Sequence, residues 1–205
     1  MTKFINITIS LGLLLSLGGC QFAENEDRND AKFYAFQQEC LAKIEKINKM
    51  NSNYQNSGWI RELFREEGNY FVPDWDGIKY RYGGSGSLSQ AYNDWLDHLS
   101  ETWLITEPNQ NIDHDKLRIY IIELENFLEK NPNFVAIKEV KSRLNWYVNA
   151  YLTGLPNIPL YNRQDHSMRP EVRVSFERFL SLNYTSKYYP LVLKVYEKFR
   201  KNKRP

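Results

Sequence analysis

In the C-terminal half of this chain the apolar residues fall at helical spacing, and proline, glycine and asparagine cut the pattern into pieces. Leu117, Tyr120, Ile121, Leu124 and Leu128 share one face of a helix that Asp113 can cap. Asn131-Pro132 breaks that run, with Asn read as a cap and Pro as the first residue of the next helix. The following stripe is Ile137, Val140, Leu144, Tyr147 and Tyr151, and Gly154 and Pro156 stop it. After a Pro-containing loop, Pro170 opens a helix bearing Val172, Phe176, Phe179 and Leu180. A last helix from about residue 186 to 201 carries Val192, Val195, Tyr196 and Phe199. Stripes of this kind must be buried, and short connections make neighbours antiparallel. Residues 113–152 and 170–201 are therefore expected as two αα-hairpins.

The N-terminal half is less regular. Phe33, Phe36, Cys40, Ile44 and Ile47 form a stripe for a helix over residues 30–50. A polar loop follows, and Ser57 can cap a short helix with Trp59, Ile60, Leu63 and Phe64. Residues 68–87 then break the helical pattern. Asp76-Gly77 signals a hairpin turn between 70–75 and 78–82, with Pro73 confining any strand to an edge; an irregular aromatic loop is the alternative. Gly83-Gly84-Ser85-Gly86 reads as a joint. Ser87 to Gln90 has the form of a capping box for a helix with Leu88, Tyr92, Trp95, Leu99 and Trp103 on one face. No signature recurs at a fixed period. The expectation is an all-α fold: an irregular bundle of six or seven helices, built partly from αα-hairpins, with a small aromatic hairpin or loop insertion, in a single helical domain over residues 30–205.

The N-terminus follows a different logic. Lys3 and the amino terminus precede an apolar run over residues 7–17, which Thr8 and Ser10 interrupt. A membrane-spanning helix needs about 20 apolar residues, so this run fits a secretory signal better. It ends in Leu17-Gly18-Gly19-Cys20. That order, Leu, two small residues, then Cys, resembles the lipobox of bacterial lipoproteins, and the resemblance covers only residues 1–20. It implies cleavage before Cys20 and attachment of several acyl chains to that residue, enough for lasting membrane attachment where one chain binds marginally. It also implies an outer-membrane location in a two-membrane bacterium, because Gln21 stands where an Asp would favour the inner membrane. Residues 1–19 are thus expected as a signal peptide. Residues 20–29, with Glu24, Glu26 and Asp27, are expected as an acidic flexible tether.

Net charge is +2, too small to suggest a nucleic-acid partner. The local exception is the C-terminal run of Lys194, Lys198, Arg200, Lys201, Lys203 and Arg204 against Glu197. It is read first as cations suited to a helix C-terminus, with contact to anionic headgroups or an acidic partner as the functional alternative. The chain has two cysteines; with Cys20 lipidated, no disulfide can form within one chain, and the stripe turns Cys40 into a core.

The remaining candidates carry weak chemistry. His98, with Asp94 and Glu101, is expected on a solvated ion-pair face. Asp113 and Asp115 around His114 are expected as helix N-terminal acids. His166 is expected as a loop residue beside Asp165 and Arg169. No metal site and no cofactor is expected, since no nucleophile elbow, phosphate loop or zinc-spaced cluster is present. Gly84 to Gln90 is faintly similar to the glycine-and-glutamine stretch of lytic transglycosylases. However, Glu67 is followed by Gly68 where that family has Ser, and the spacing from the acid is too long. The aromatic segment is the stronger lead: Trp75, Tyr80, Arg81 and Tyr82 are types enriched at binding hot spots, against the alternative of a loop packed over the helices. The function expected is a non-catalytic binding or accessory domain, anchored by acyl chains in the outer membrane and facing the periplasm, with a protein partner. An inhibitor or immunity-type protein capturing a toxin or hydrolase is the first alternative, and a peptidoglycan-active enzyme the second.

Overall fold

The computed structural model describes residues 26–50, 64–67, 70–83, 88–102, 113–155 and 159–201. The protein is mostly helical, with seven helices, packed helix pairs and one two-stranded hairpin among these residues. Its contacts group into two compact units, Met1–Asn93 and Asp94–Pro205.

The first unit is built on α1 (Glu26–Met50). This helix begins inside the expected tether: residues 26–29 are helical. Residues 20–25 lie outside the described residues. Phe33, Cys40 and Ile44 are buried at the expected spacing. The hairpin joins β1 (Phe64–Glu67) to β2 (Tyr70–Pro73), antiparallel, with Phe64 opposite Pro73 and Glu67 opposite Tyr70. In a two-stranded sheet every strand is an edge, so Pro73 withdraws no needed donor.

This pairing corrects two expectations. Phe64 belongs to a strand, while the expected helix over residues 57–63 lies outside the described residues. The strands pair Glu67 with Tyr70, so the hairpin lies upstream of the Asp76-Gly77 expected to turn it. Asp76-Gly77 instead lies in the short α2 (Trp75–Ile78), which Asp74 caps: its side chain accepts from the Gly77 N–H at 3.2 Å, and its carbonyl accepts from Ile78 N at 2.8 Å. The side-chain cap competes with the hairpin turn for the same dipeptide and wins. A π-helical turn, Lys79–Gly83, follows directly.

Helix α3 (Gln90–Thr102) contains the division between the units. Its cap is Ser89, not Ser87: Tyr92 N donates to Ser89 Oγ at 3.1 Å. In the first unit Tyr92 is fully buried against Phe33, and its hydroxyl donates to Gln37 Oε1 at 2.6 Å.

The second unit holds the two helix pairs. α4 (His114–Lys130) packs on α5 (Ile137–Thr153), and α6 (Pro170–Leu182) on α7 (Tyr189–Lys201), with α4 also against α6. Asp113 caps α4 by accepting from Asp115 N at 2.9 Å, Gly154 closes α5 at φ 78°, and Pro170 starts α6. Asn131 acts at the end of α4 instead of the start of α5: its backbone and side-chain amides both donate to the Phe127 carbonyl. Residues 132–136 are used as turns because Phe134 must reach the core, where it packs edge-on to Phe127 at 5.1 Å.

Candidate functional site

The aromatic segment proposed from sequence divides into an inner and an outer half. Trp75, at the first position of α2, is buried, with 4% exposure, and is not available to a partner. It lines an apolar cavity with Phe33, Cys40, Phe64 and Ile78, of about 10 Å3, at the lower limit for a single water. Tyr82 is half-buried, its ring 5.0 Å from Phe33. Tyr80 is 87% exposed. Arg81 is exposed and held 3.8 Å from the Asp74 carboxylate. Because these residues sit on a helical turn, consecutive side chains rotate around it and do not alternate as on a strand. One wall of the turn is therefore packed, and the other presents a tyrosine and an arginine.

Gly77 makes this arrangement possible. A Cβ there would press into the Asp74 carboxylate, with Cγ at 2.8 Å, and approach Arg81 Nη2 at 3.0 Å. Gly77→Ala is expected to displace that carboxylate, releasing both the α2 cap and the Arg81 ion pair, at a cost of about 1–2 kcal/mol. Urea unfolding would measure it, and a loss equal to that of a surface Gly→Ala control would contradict the argument.

The second unit contains two buried imidazoles, of which His98 was expected on a solvated face. His98 is buried, not solvated. Its ring stacks on Trp95 at 5.6 Å and meets Tyr120 and Tyr147 edge-on at 5.5 and 5.7 Å. Nε2 shares a 3.1 Å hydrogen bond with the Tyr147 hydroxyl, which also accepts from Arg143 Nη1 at 3.5 Å. Nδ1 lies 4.0 Å from Glu123. Burial, with Arg143 adding to it, pushes the His98 pKa down to about 3. The imidazole is thus neutral, and Tyr147 is placed to donate to Nε2. Asp94 and Glu101 are exposed, as expected. Burial, then the nearby Glu101, pushes the Tyr120 hydroxyl up to about 12. Burial, then Glu101, raises the Glu123 carboxyl.

His114 is buried likewise, stacked on Tyr151 at 4.6 Å and tilted against Phe176 at 5.7 Å. Its Nε2 lies 3.0 Å from the Tyr151 carbonyl, so the proton resides there. Burial lowers its pKa to about 4, with the carbonyl bond acting in the opposite sense. Next to it, Asp115 receives two bonds from Arg118, at 2.8 and 3.2 Å, and one from Arg178 at 3.1 Å, and these hold its carboxyl below the usual range. His114 is therefore a core residue beside helix-start acids. His98 could have been found from spacing: it follows Trp95 by three residues and precedes Leu99, inside the apolar arc.

The other candidates fall as follows. Cys40 is a buried free thiol that burial pushes up to about 11, which suppresses thiolate chemistry. His166 lies in the exposed loop as expected, at φ 54°, with its N–H donating to the Asn162 carbonyl at 2.9 Å. Glu67 lies on β1. Cys20 lies outside the described residues. Among the described residues no group of three His, Cys, Asp or Glu could hold a metal ion, and no helix is long and apolar enough to cross a membrane.

These features define a class by architecture: a mostly helical protein of packed helix pairs with a two-stranded hairpin and two histidines set into aromatic cores. No protein-family model matches the sequence, and neither a curated protein nor a solved structure is significantly similar to it.

Proposed function

We propose that this chain is an envelope lipoprotein, attached to the outer membrane through acyl chains on Cys20, whose helical body faces the periplasm and binds a protein partner without catalysing a reaction. The observation that carries this reading is Leu17-Gly18-Gly19-Cys20 at the end of a short apolar run. The buried, high-pKa thiol of Cys40 supports it by leaving Cys20 as the cysteine with a chemical fate. The binding half of the reading is supported by Tyr80 and Arg81, which are exposed on a segment that Trp75, Ile78 and Tyr82 anchor. Tyr and Arg combine large contact area with directed hydrogen bonding, which suits recognition.

Metabolic labelling tests the anchor. The wild-type chain is expected to take up labelled palmitate and to fractionate with membranes, and Cys20→Ala to lose both properties. A Cys20→Ala chain that stays with the membrane, beside a wild type that takes no label, would sink the reading. For the partner, in-cell cross-linking with mass spectrometry should yield a protein that the Tyr80→Ala/Arg81→Ala double variant no longer captures.

A further inference from the structure

We propose that the α6–α7 hairpin carries a membrane-contact surface, in which its apolar tip and a lysine stripe on α7 meet anionic phospholipid headgroups. Of the seven large hydrophobic side chains most exposed among the described residues, four lie in this hairpin: Val174, Leu182, Tyr184 and Leu191. Leu182 and Tyr184 are 65% and 74% exposed at the turn between the helices. This turn is fixed, because both Glu125 carboxylate oxygens hold it: Ser186 Oγ donates at 2.6 Å and Lys187 N at 2.8 Å.

Lys187, Leu191, Lys194 and Lys198 continue from that tip at intervals of four, three and four residues, and all four are exposed. Leu191, Lys194 and Lys198 lie within α7, where this spacing puts them on one stripe, and Lys187 precedes the helix in the turn. Residues 170–201 hold seven basic residues (Arg173, Arg178, Lys187, Lys194, Lys198, Arg200, Lys201) and three acids (Glu171, Glu177, Glu197), a net of +4 in a chain of net +2. The acids do not face the stripe unopposed. Glu177 accepts from the Tyr196 hydroxyl at 2.7 Å, Glu171 pairs with Arg169 at 2.5 Å, and Glu197 is half-buried on the flank.

The residue types favour lipid over protein. Lysine is depleted at protein–protein interfaces, where arginine is preferred. Lysine stems with a leucine between them and a tyrosine at the tip are what a headgroup region accepts. α7 has 13 residues, so it would lie in the interface and not cross it. The inference rests on the anchored reading only for its setting, since acyl chains on Cys20 would hold this surface close to a bilayer.

The test uses the full chain carrying Cys20→Ala, so that no acyl chain contributes. It should bind phosphatidylglycerol-containing vesicles about tenfold more tightly than pure phosphatidylcholine ones, and Lys187→Glu/Lys194→Glu/Lys198→Glu should abolish that preference. A control pair on α5, Lys138→Glu/Lys141→Glu, should leave it intact. Tyr184→Cys in the same background, labelled with an environment-sensitive dye while Cys40 stays buried, should shift to the blue on anionic vesicles. Equal binding to both vesicle types, an unaffected triple variant, or a dye at residue 184 that stays in water on bound vesicles each overturns the proposal. Palmitate labelling of the wild type reports the anchor separately, so either reading can fail alone.

Discussion

Lowering the pH from 7 to 5 is expected to destabilise the second unit by about 4 kcal/mol, through His98 and His114. Both imidazoles are neutral in the folded state, with pKa values pushed down to about 3 and about 4, whereas in the unfolded chain they protonate near 6.5. Below about pH 6.5 the unfolded state binds protons that the folded state refuses. Each histidine then removes about 1.4 kcal/mol per pH unit until its folded pKa is reached. Their stabilisation is complete above that range and is lost as pH falls. Asp113 and Glu171 moderate the effect at His114, while Arg169 there and Arg143 at His98 reinforce it. Glu123, whose carboxyl is raised in the folded state, acts in the opposite direction, but its side chain is 52% exposed and its contribution is screened. Asp115, with its lowered carboxyl, adds acid sensitivity only below the ordinary carboxylate range. Thermal unfolding from pH 7.5 to 4.5 should show the decline, and His98→Gln or His114→Gln should flatten its slope by about half. A wild-type midpoint that stays constant down to pH 4.5 would refute the account.

Asp30→Ala is expected to cost about 3 kcal/mol in the first unit, although the residue lies in the opening turns of α1. Its carboxylate is buried and accepts from Ser89 N at 2.9 Å and from Ser89 Oγ, 59 positions along the chain. Ser89 Oγ in turn caps α3 by accepting from Tyr92 N. Removing the carboxylate strips the half-buried Ser89 amide of its acceptor and loosens the cap beyond it. Asp30→Asn keeps one carbonyl oxygen and should recover part of the loss. Denaturant titration distinguishes the cases, and a change within about 0.5 kcal/mol for the alanine variant would show that the latch contributes little.

The same residue explains what the sequence could and could not reveal. The two helix pairs are legible because their signals are local: Asp113 at a cap, Gly154 at a stop, Pro170 at a start. The cap of α3 is misplaced by two residues because Asp30, distant in sequence, selects Ser89. The hairpin is misplaced because Asp-Gly is read as a turn, while Asp74 immediately upstream offers a competing cap. Trp75 is misread as a contact residue because the cavity wall it completes comes from α1 and β1. The histidines are missed because imidazole is polar on its own helix. Of the rings that enclose His98, Trp95 lies on the same helix, and Tyr120 and Tyr147 arrive from α4 and α5.

Glu125 gives the α6–α7 turn a property beyond its fold. A carboxylate with both oxygens engaged by Ser186 and Lys187 works as a two-point clasp between α4 and a segment that contributes few buried side chains of its own. Such a clasp keeps Tyr184 and Leu182 outward with their water-facing area undiminished, where an unheld turn could fold them back onto the helices. The protein therefore behaves, at that end, like a stamp with a fixed face: whatever touches it first meets the same arrangement of side chains, at no further cost in ordering the backbone.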